Sequence, residues 1–315
     1  MEKKFVLGTM TVELAIPTLT CLLGEGPHWD DKEQKLLFVD ILANTVYKWD
    51  SVKDKLESVT LEDTVGAVVP CKKGGYMVGL GRSVAHLDWS SQKVTKIHEI
   101  PLNGTKNKFN DAKCDPAGRF WTGSMGHQIS NNPNMFEPEK GELYCLDIDG
   151  TLHKRVEKVS ISNGLVWTQD KRTMYYIDSV PGQVYGFDYD IDTGAKSVPN
   201  RRVIIDYNNF DDADSMGLPD GMTSDVDGNL WIASWGFGKI MCFDPLSGKK
   251  LRTIQIPAMR TTSCCFGGKN LDELYVTSAR QGASDEELAA YPMSGSTFKV
   301  TGLGVKGLPA NVYEG

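Results

Sequence analysis

Leu218-Pro-Asp-Gly-Met-Thr-Ser-Asp-Val-Asp-Gly-Asn-Leu-Trp-Ile-Ala-Ser-Trp235 is the stretch whose reading decides the fold. Asp220 sits in a tight Pro-Asp-Gly corner. Asp227-Gly228 is a hairpin turn signal, because Asp and Gly tolerate the backbone angles that such turns require. Short runs of strand-forming residues lie between and after these two features and end in Leu230 to Trp235. A corner, a turn and a strand together make one unit.

The unit recurs along the chain with a different residue at the corner each time. Corners fall at Glu25, Gly66, Asn110, Asn163, Asp220 and Thr262. The strands that follow are Leu36-Leu-Phe-Val-Asp40, Tyr76-Met-Val-Gly-Leu80, Arg119-Phe-Trp-Thr-Gly123, Met174-Tyr-Tyr-Ile-Asp178, Leu230-Trp-Ile-Ala233 and Leu274-Tyr-Val-Thr277. Successive corners are 41, 44, 53, 57 and 42 residues apart. A period in this range signals a propeller or a solenoid. Period-two runs, aromatics and Gly/Asp turns select strand over helix. A further hairpin candidate follows several copies, as in Thr45-Val-Tyr-Lys-Trp49, Val184-Tyr-Gly-Phe-Asp188 and Lys239-Ile-Met-Cys-Phe243. Four strands per repeat is the arithmetic of a propeller blade.

Met10-Thr-Val-Glu-Leu-Ala15 reads as an early strand outside the first copy, and Ser296-Thr-Phe-Lys-Val-Thr-Gly302 as a late one. Pairing them in one blade removes an open edge. The expectation is an all-β fold: a six-bladed β-propeller of four-stranded antiparallel blades, closed by its N- and C-terminal strands, in a single domain over residues 1–315. Two polar insertions, residues 126–140 and 207–217, read as loops placed to rim a pocket.

Composition narrows the function. The chain has 315 residues, 40% hydrophobic and 24% charged, with net charge -7. The acidic balance argues against nucleic acid and against an anionic membrane surface as partners. No apolar run approaches the ~18 residues of a membrane span, and the N-terminus has no signal-peptide core. The seven cysteines are odd in number and include no C-x-x-C pair. They fit free thiols in a reducing compartment, so a cytoplasmic location is expected. In that setting the glycosylation acceptor Asn103-Gly104-Thr105 is expected to be idle.

In a propeller the innermost strands line a central channel, so one corner per blade faces the axis. Glu25, Asn110, Asn163 and Asp220 would converge there from distant parts of the chain. Any one of them taken alone is explained by turn chemistry, since Asp and Asn satisfy turn backbone. Independent turns give no reason for four acidic or amide side chains at matched positions. Two carboxylates and two amides make an all-oxygen set suited to Ca²⁺, Mg²⁺ or Mn²⁺. The five histidines show no ligand spacing, so no purely imidazole zinc site is expected. Asp220, binding through one oxygen, would keep the other as a general base. Strand alternation points Asp111 away from the axis. Lys108, two residues before Asn110, is on its face, where it would pair with a substrate or remain a solvated rim lysine. No nucleophile elbow, P-loop or dinucleotide fingerprint is present.

These residues carry a resemblance. Gly24-Glu-Gly-Pro-His-Trp29, Phe109-Asn-Asp-Ala-Lys113 with Asp115-Pro-Ala-Gly-Arg119, Ser162-Asn-Gly-Leu165, Met174-Tyr-Tyr-Ile-Asp178 and Pro219-Asp-Gly-Met222 resemble the family of regucalcin (senescence marker protein), gluconolactonase and luciferin-regenerating enzyme. The runs Phe266–Ser278 and Phe298–Gly307 resemble its animal, especially insect, members. The likeness covers nearly the whole chain. It implies a six-bladed propeller with one divalent cation at the axis, Ca²⁺ foremost, with Mg²⁺, Mn²⁺ or Zn²⁺ as alternatives. The family's ligands fall on Glu25, Asn163 and Asp220, its acid/base on Asp220, and a substrate-contacting asparagine on Asn110. The implied activity is hydrolysis of sugar lactones on a small-molecule substrate. Some members are Ca²⁺-binding regulators, and beetle members regenerate luciferin, so both remain alternatives. Two positions depart from the pattern. Lys108 stands where arginine is common, which replaces a planar fork with a point charge. Gln128 stands where vertebrate members carry a substrate-contacting glutamate, which bears on any aldonolactone preference.

Overall fold

The computed structural model describes residues 10–101, 106–129, 136–193 and 197–315. The acceptor at Asn103 and part of the 126–140 insertion lie outside the described residues. The strands assemble into six four-stranded antiparallel sheets arranged as a six-bladed β-propeller. Five sheets are simple meanders, with strands in sequence order. The sixth combines Arg260–Gly267, Glu273–Ala279 and Phe298–Thr301 with the early strand Thr11–Leu14. Thr11 pairs with Thr301 and Leu14 with Phe298, which closes the ring as expected.

The expected strands are present, with small shifts of their ends. Tyr76–Leu80 coincides with the reading, whereas the strand expected at Arg119 runs from Phe120 to Met125. The 207–217 insertion contains two 3-10 turns, Tyr207–Asn209 and Ala213–Ser215. A short helix, Asp285–Ala290, starts at a capping box in which Ser284 and Glu287 satisfy each other's backbone N–H groups.

The ring is held by the seams between blades. Each of six buried apolar clusters spans two neighbouring blades. Trp29 and Phe38 of the first blade pack with Tyr275 of the sixth, and Trp29 stacks on Tyr275 with centroids 5.2 Å apart. Trp121 of the third blade packs with Trp167 of the fourth, and Trp231 of the fifth with Phe266 of the sixth. Burying each such side chain contributes about 1.5–3 kcal/mol. The seam between the first and second blades is built from aliphatic side chains such as Leu37, Val39, Val68 and Leu80, so no seam can be left open without exposing several buried apolar groups. All seven cysteines are free thiols, and six are buried.

The innermost strands are Gly24–Asp30, Val65–Pro70, Lys108–Cys114, Ser162–Trp167, Leu218–Ser224 and Arg260–Gly267. Each breaks its register beside the corner residue. Between Phe109 and Ala112 two residues oppose one, and the same shift occurs between Ser162 and Leu165 and between Pro219 and Met222. A bulge of this kind bends the strand and re-aims side chains. It is the device that turns the corners toward the axis.

Candidate metal centre

Four of the six corners meet at one pocket. Glu25, Asn110, Asn163 and Asp220 all line it, and all are buried, with 5%, 7%, 4% and 7% of their surface exposed. The other two corners are structural. Gly66 is glycine because a Cβ there would stand 2.1 Å from the carbonyl oxygen of Asn110. The Thr262 hydroxyl lies 2.6 Å from the Gly24 carbonyl and donates to it, bridging the sixth blade to the first.

The two amides are fixed by hydrogen bonds. Asn110 Nδ2 donates to Ser162 O and to Asn163 Oδ1, both at 2.9 Å. Both its donors are then engaged, so the oxygen is the group left to meet a ligand. Asn163 Nδ2 donates to Ser179 Oγ at 2.7 Å, which sets the orientation of that amide from the other side. Ser179 also lines the pocket. Its role needs two strands brought side by side, and no spacing in the sequence signals it.

The carboxylates are fixed more sparsely. Glu25 Oε2 accepts from the Gly26 N–H at 2.8 Å. Burial pushes the Glu25 carboxyl well above its usual range, and the nearby Asp111 charge pushes it further. Asp220 is pushed up in the same way by burial, then by Glu25 and Asp111. Asp111 is therefore a third buried carboxylate near the axis, not a residue turned away from it. Alternation fails here because the bulge places both Asn110 and Asp111 opposite a single partner residue. Its charge is opposed by Lys113, whose Nζ donates to Met222 O at 2.7 Å. His28 is buried in the same region, and burial with the Lys113 charge lowers its pKa to about 3, so its imidazole is neutral.

The two remaining candidates lie apart from this floor. Lys108 is not among the lining residues; its Nζ contacts Asp63 Oδ1 at 2.8 Å, with both side chains nearly half exposed. Gln128 does not line the pocket either, and it forms a backbone bridge with Phe136, which does. The rim instead carries Leu23, Met125, Phe136, Ile161, Leu218 and Trp235.

The donor set fits a hard divalent cation. Among the described residues no three His, Cys, Asp or Glu side chains gather to hold a metal by themselves. A cation at this floor would therefore use amide oxygen together with Glu25 and Asp220, the chemistry that Ca²⁺ and Mg²⁺ accept. Buried carboxylates are ordinarily paired or metal-bound, and among the described residues no cationic side chain lowers the Glu25 or Asp220 carboxyl.

Comparison with known proteins agrees with this architecture. Residues 23–280 match the family profile described as the SMP-30/Gluconolactonase/LRE-like region. Regucalcin of Danio rerio is 43% identical over 294 residues, covering 93% of this chain and 95% of that protein. Regucalcin of Homo sapiens is 39% identical over 309 residues, covering 98% of this chain and all of the relative. A solved luciferin-regenerating enzyme superposes with a TM-score of 0.89 at 33% identity, covering 97% of this chain and 100% of its own. A calcium-binding regucalcin from Agrobacterium tumefaciens superposes with a TM-score of 0.85 at 25% identity, covering 96% and 97%. The chain belongs to the SMP-30/gluconolactonase/luciferin-regenerating-enzyme-like family.

Proposed function

We propose that the protein is a divalent-metal-dependent lactonase, a hydrolase of lactone and ester C–O bonds, with its cation held at the propeller axis by Glu25, Asn163 and Asp220. The observation that carries this reading is the pair of buried carboxylates, Glu25 and Asp220. Burial and the Asp111 charge disfavour ionisation of both, Glu25 adds to the effect on Asp220, and among the described residues no lysine or arginine charge offsets it at either. A divalent cation would relieve both. When bound, it supplies Lewis acidity toward a carbonyl oxygen and makes water more acidic.

The chain's own residues supply the rest. Asp220 takes a proton from the attacking water and returns it to the ring oxygen as the acyl C–O bond breaks, so a lactone and water give a hydroxy acid. Asn163, pinned by Ser179 and Asn110, presents a fixed oxygen. Asn110 orients the substrate through its own free oxygen. The decisive experiment pairs substitution with chelation on a panel of lactones. Asp220→Ala should abolish hydrolysis with an unchanged circular dichroism spectrum. EDTA should do the same reversibly, and activity that resists chelation refutes the reading.

A further inference from the structure

We propose that the substrate of this site carries an apolar ring or alkyl face beside its hydrolysable carbonyl: an aryl- or alkyl-substituted lactone, not a polyhydroxylated sugar lactone. The carbonyl half of this statement rests on the lactonase reading above. The apolar half rests on the wall of the pocket.

The wall is built by the repeat itself. Two residues before a corner, the side chain lies on the same face of the strand but one step nearer the mouth. Those positions are Leu23 before Glu25, Ile161 before Asn163 and Leu218 before Asp220, and all three line the pocket half-buried. The equivalent residue before Asn110 is Lys108. It is the polar exception, and it turns to Asp63. Neighbouring strands extend the same surface. Trp235 pairs with Leu218, and Met125 bridges to Ile161. Phe136 completes the set, and all three are half-buried. Six large apolar side chains thus stand incompletely covered around one small mouth.

The polar inventory points the same way. Above the four floor residues, the described lining offers only Ser179 and Gln281 as polar side chains. The Ser179 hydroxyl already accepts from Asn163. A sugar lactone presents several hydroxyl groups, and each one desolvated without a hydrogen-bond partner opposes binding. An apolar group laid on this rim is favoured in proportion to the apolar area it removes from water. The same wall therefore penalises the polyhydroxyl ring and rewards the apolar one.

The test compares dihydrocoumarin, an aryl-fused δ-lactone, with glucono-δ-lactone, using the Ca²⁺- or Mn²⁺-loaded protein. The expected kcat/KM ratio favours dihydrocoumarin at least tenfold. Leu218→Ser and Phe136→Ser should each pull that ratio toward unity, chiefly by raising KM for dihydrocoumarin. A preference for gluconolactone, or equal losses on both substrates, overturns the proposal. Failure of the lactonase reading is told apart by two non-hydrolysable lactams, 3,4-dihydro-2-quinolinone and gluconolactam, titrated by calorimetry. If neither lactone is turned over, the reaction assignment falls. Tighter binding of the quinolinone still supports the apolar wall. Equal or tighter binding of gluconolactam, or binding of neither, overturns it.

Discussion

Asn110 Nδ2 donates to Asn163 Oδ1 at 2.9 Å, joining the corner of the third blade to the corner of the fourth. These residues are 53 positions apart in the chain, and their bond makes two corners into one rigid amide pair. On its far side the pair is anchored by Ser179 Oγ, 2.7 Å from Asn163 Nδ2. The orientation of the Asn163 oxygen therefore depends on a residue with no proposed contact to the cation.

That dependence is testable. Partners behind a metal ligand typically matter by about 10–100-fold in affinity. Ser179→Ala should weaken Ca²⁺ binding by this order, measured by calorimetry, with little change in fold. An unchanged affinity would show that Asn163 does not need its anchor, and would weaken its assignment as a ligand.

Gly66 provides a steric test of the same floor. It lies against Asn110, and any Cβ would overlap the Asn110 carbonyl. Relief requires moving one blade against the next, at a cost of about 1–3 kcal/mol for overpacking of this kind. Gly66→Ala should lower the melting temperature and also weaken cation binding, because Asn110 must shift. Loss of stability with full cation affinity would mean that the floor tolerates displacement of its third blade.

Much of this arrangement is written locally and could be read from the chain. Corner, turn and strand depend on neighbouring residues, and Asp-Gly and Pro-Asp-Gly are chemically explicit. The ring closure of Thr11–Leu14 onto Phe298–Thr301 followed from two unpaired runs at the ends of the repeat. Alternation turns Asp111 away from the axis only in a regular strand, whereas the bulge after Phe109 depends on the partner strand. Ser179 and Trp235 belong to the pocket only through adjacency in space, which no spacing encodes, whereas Phe136 falls within the 126–140 insertion expected to rim it. Lys108 has the right parity, but its partner, Asp63, comes from the connection between Lys55–Thr60 and Val65–Pro70 that leads into the preceding blade.

Lys108 yields a prediction that separates rim from floor. Its ion pair with Asp63 is nearly half exposed, and such pairs contribute about 0–1 kcal/mol. Lys108→Met should change stability by no more than that and leave the dihydrocoumarin KM nearly unaltered. A rise in KM of tenfold or more would return Lys108 to the substrate site.

Two aspartates lock the turns of the third and fifth blades through the same geometry. Asp115 accepts from the N–H groups of Ala117 and Arg119 and from Trp121 Nε1 at 2.9 Å. Asp225 accepts from those of Asp227 and Asn229 and from Trp231 Nε1, also at 2.9 Å. Only Asp115 also faces a buried guanidinium, Arg119 at 3.3 Å, together with the Tyr189 hydroxyl. Removing it takes one of two carboxylate partners from the buried Arg119, leaving Asp147 at 3.3 Å, and hydrogen bonds to charged groups are lost at a higher cost than neutral ones. Removing Asp225 strands neutral donors, at about 1–3 kcal/mol. Denaturant unfolding of Asp115→Ala and Asp225→Ala should therefore rank them in that order, and the reverse ranking would discount the charge of Arg119.

The buried carboxylates make the sharpest prediction, because its sign is opposite to that of most acidic groups. Glu25 and Asp220 titrate in the folded protein well above their ordinary values of 4.5 and 3.8. The unfolded chain releases those protons at the ordinary values, so over the interval above them the folded state holds more protons. The associated stability is complete below pH 3.8–4.5 and is lost as pH rises through the raised folded values. In EDTA the melting temperature should then fall as pH rises from about 5 toward 8, the range above ordinary carboxylate titration. A saturating divalent cation takes the place of the protons, and at 100 times its dissociation constant it adds about 2.7 kcal/mol. The gap between the EDTA and Ca²⁺ curves should widen with pH, and it should vanish in the double variant Glu25→Gln, Asp220→Asn. Parallel curves at every pH would mean that the cation, if it binds at all, binds somewhere other than between these two carboxylates.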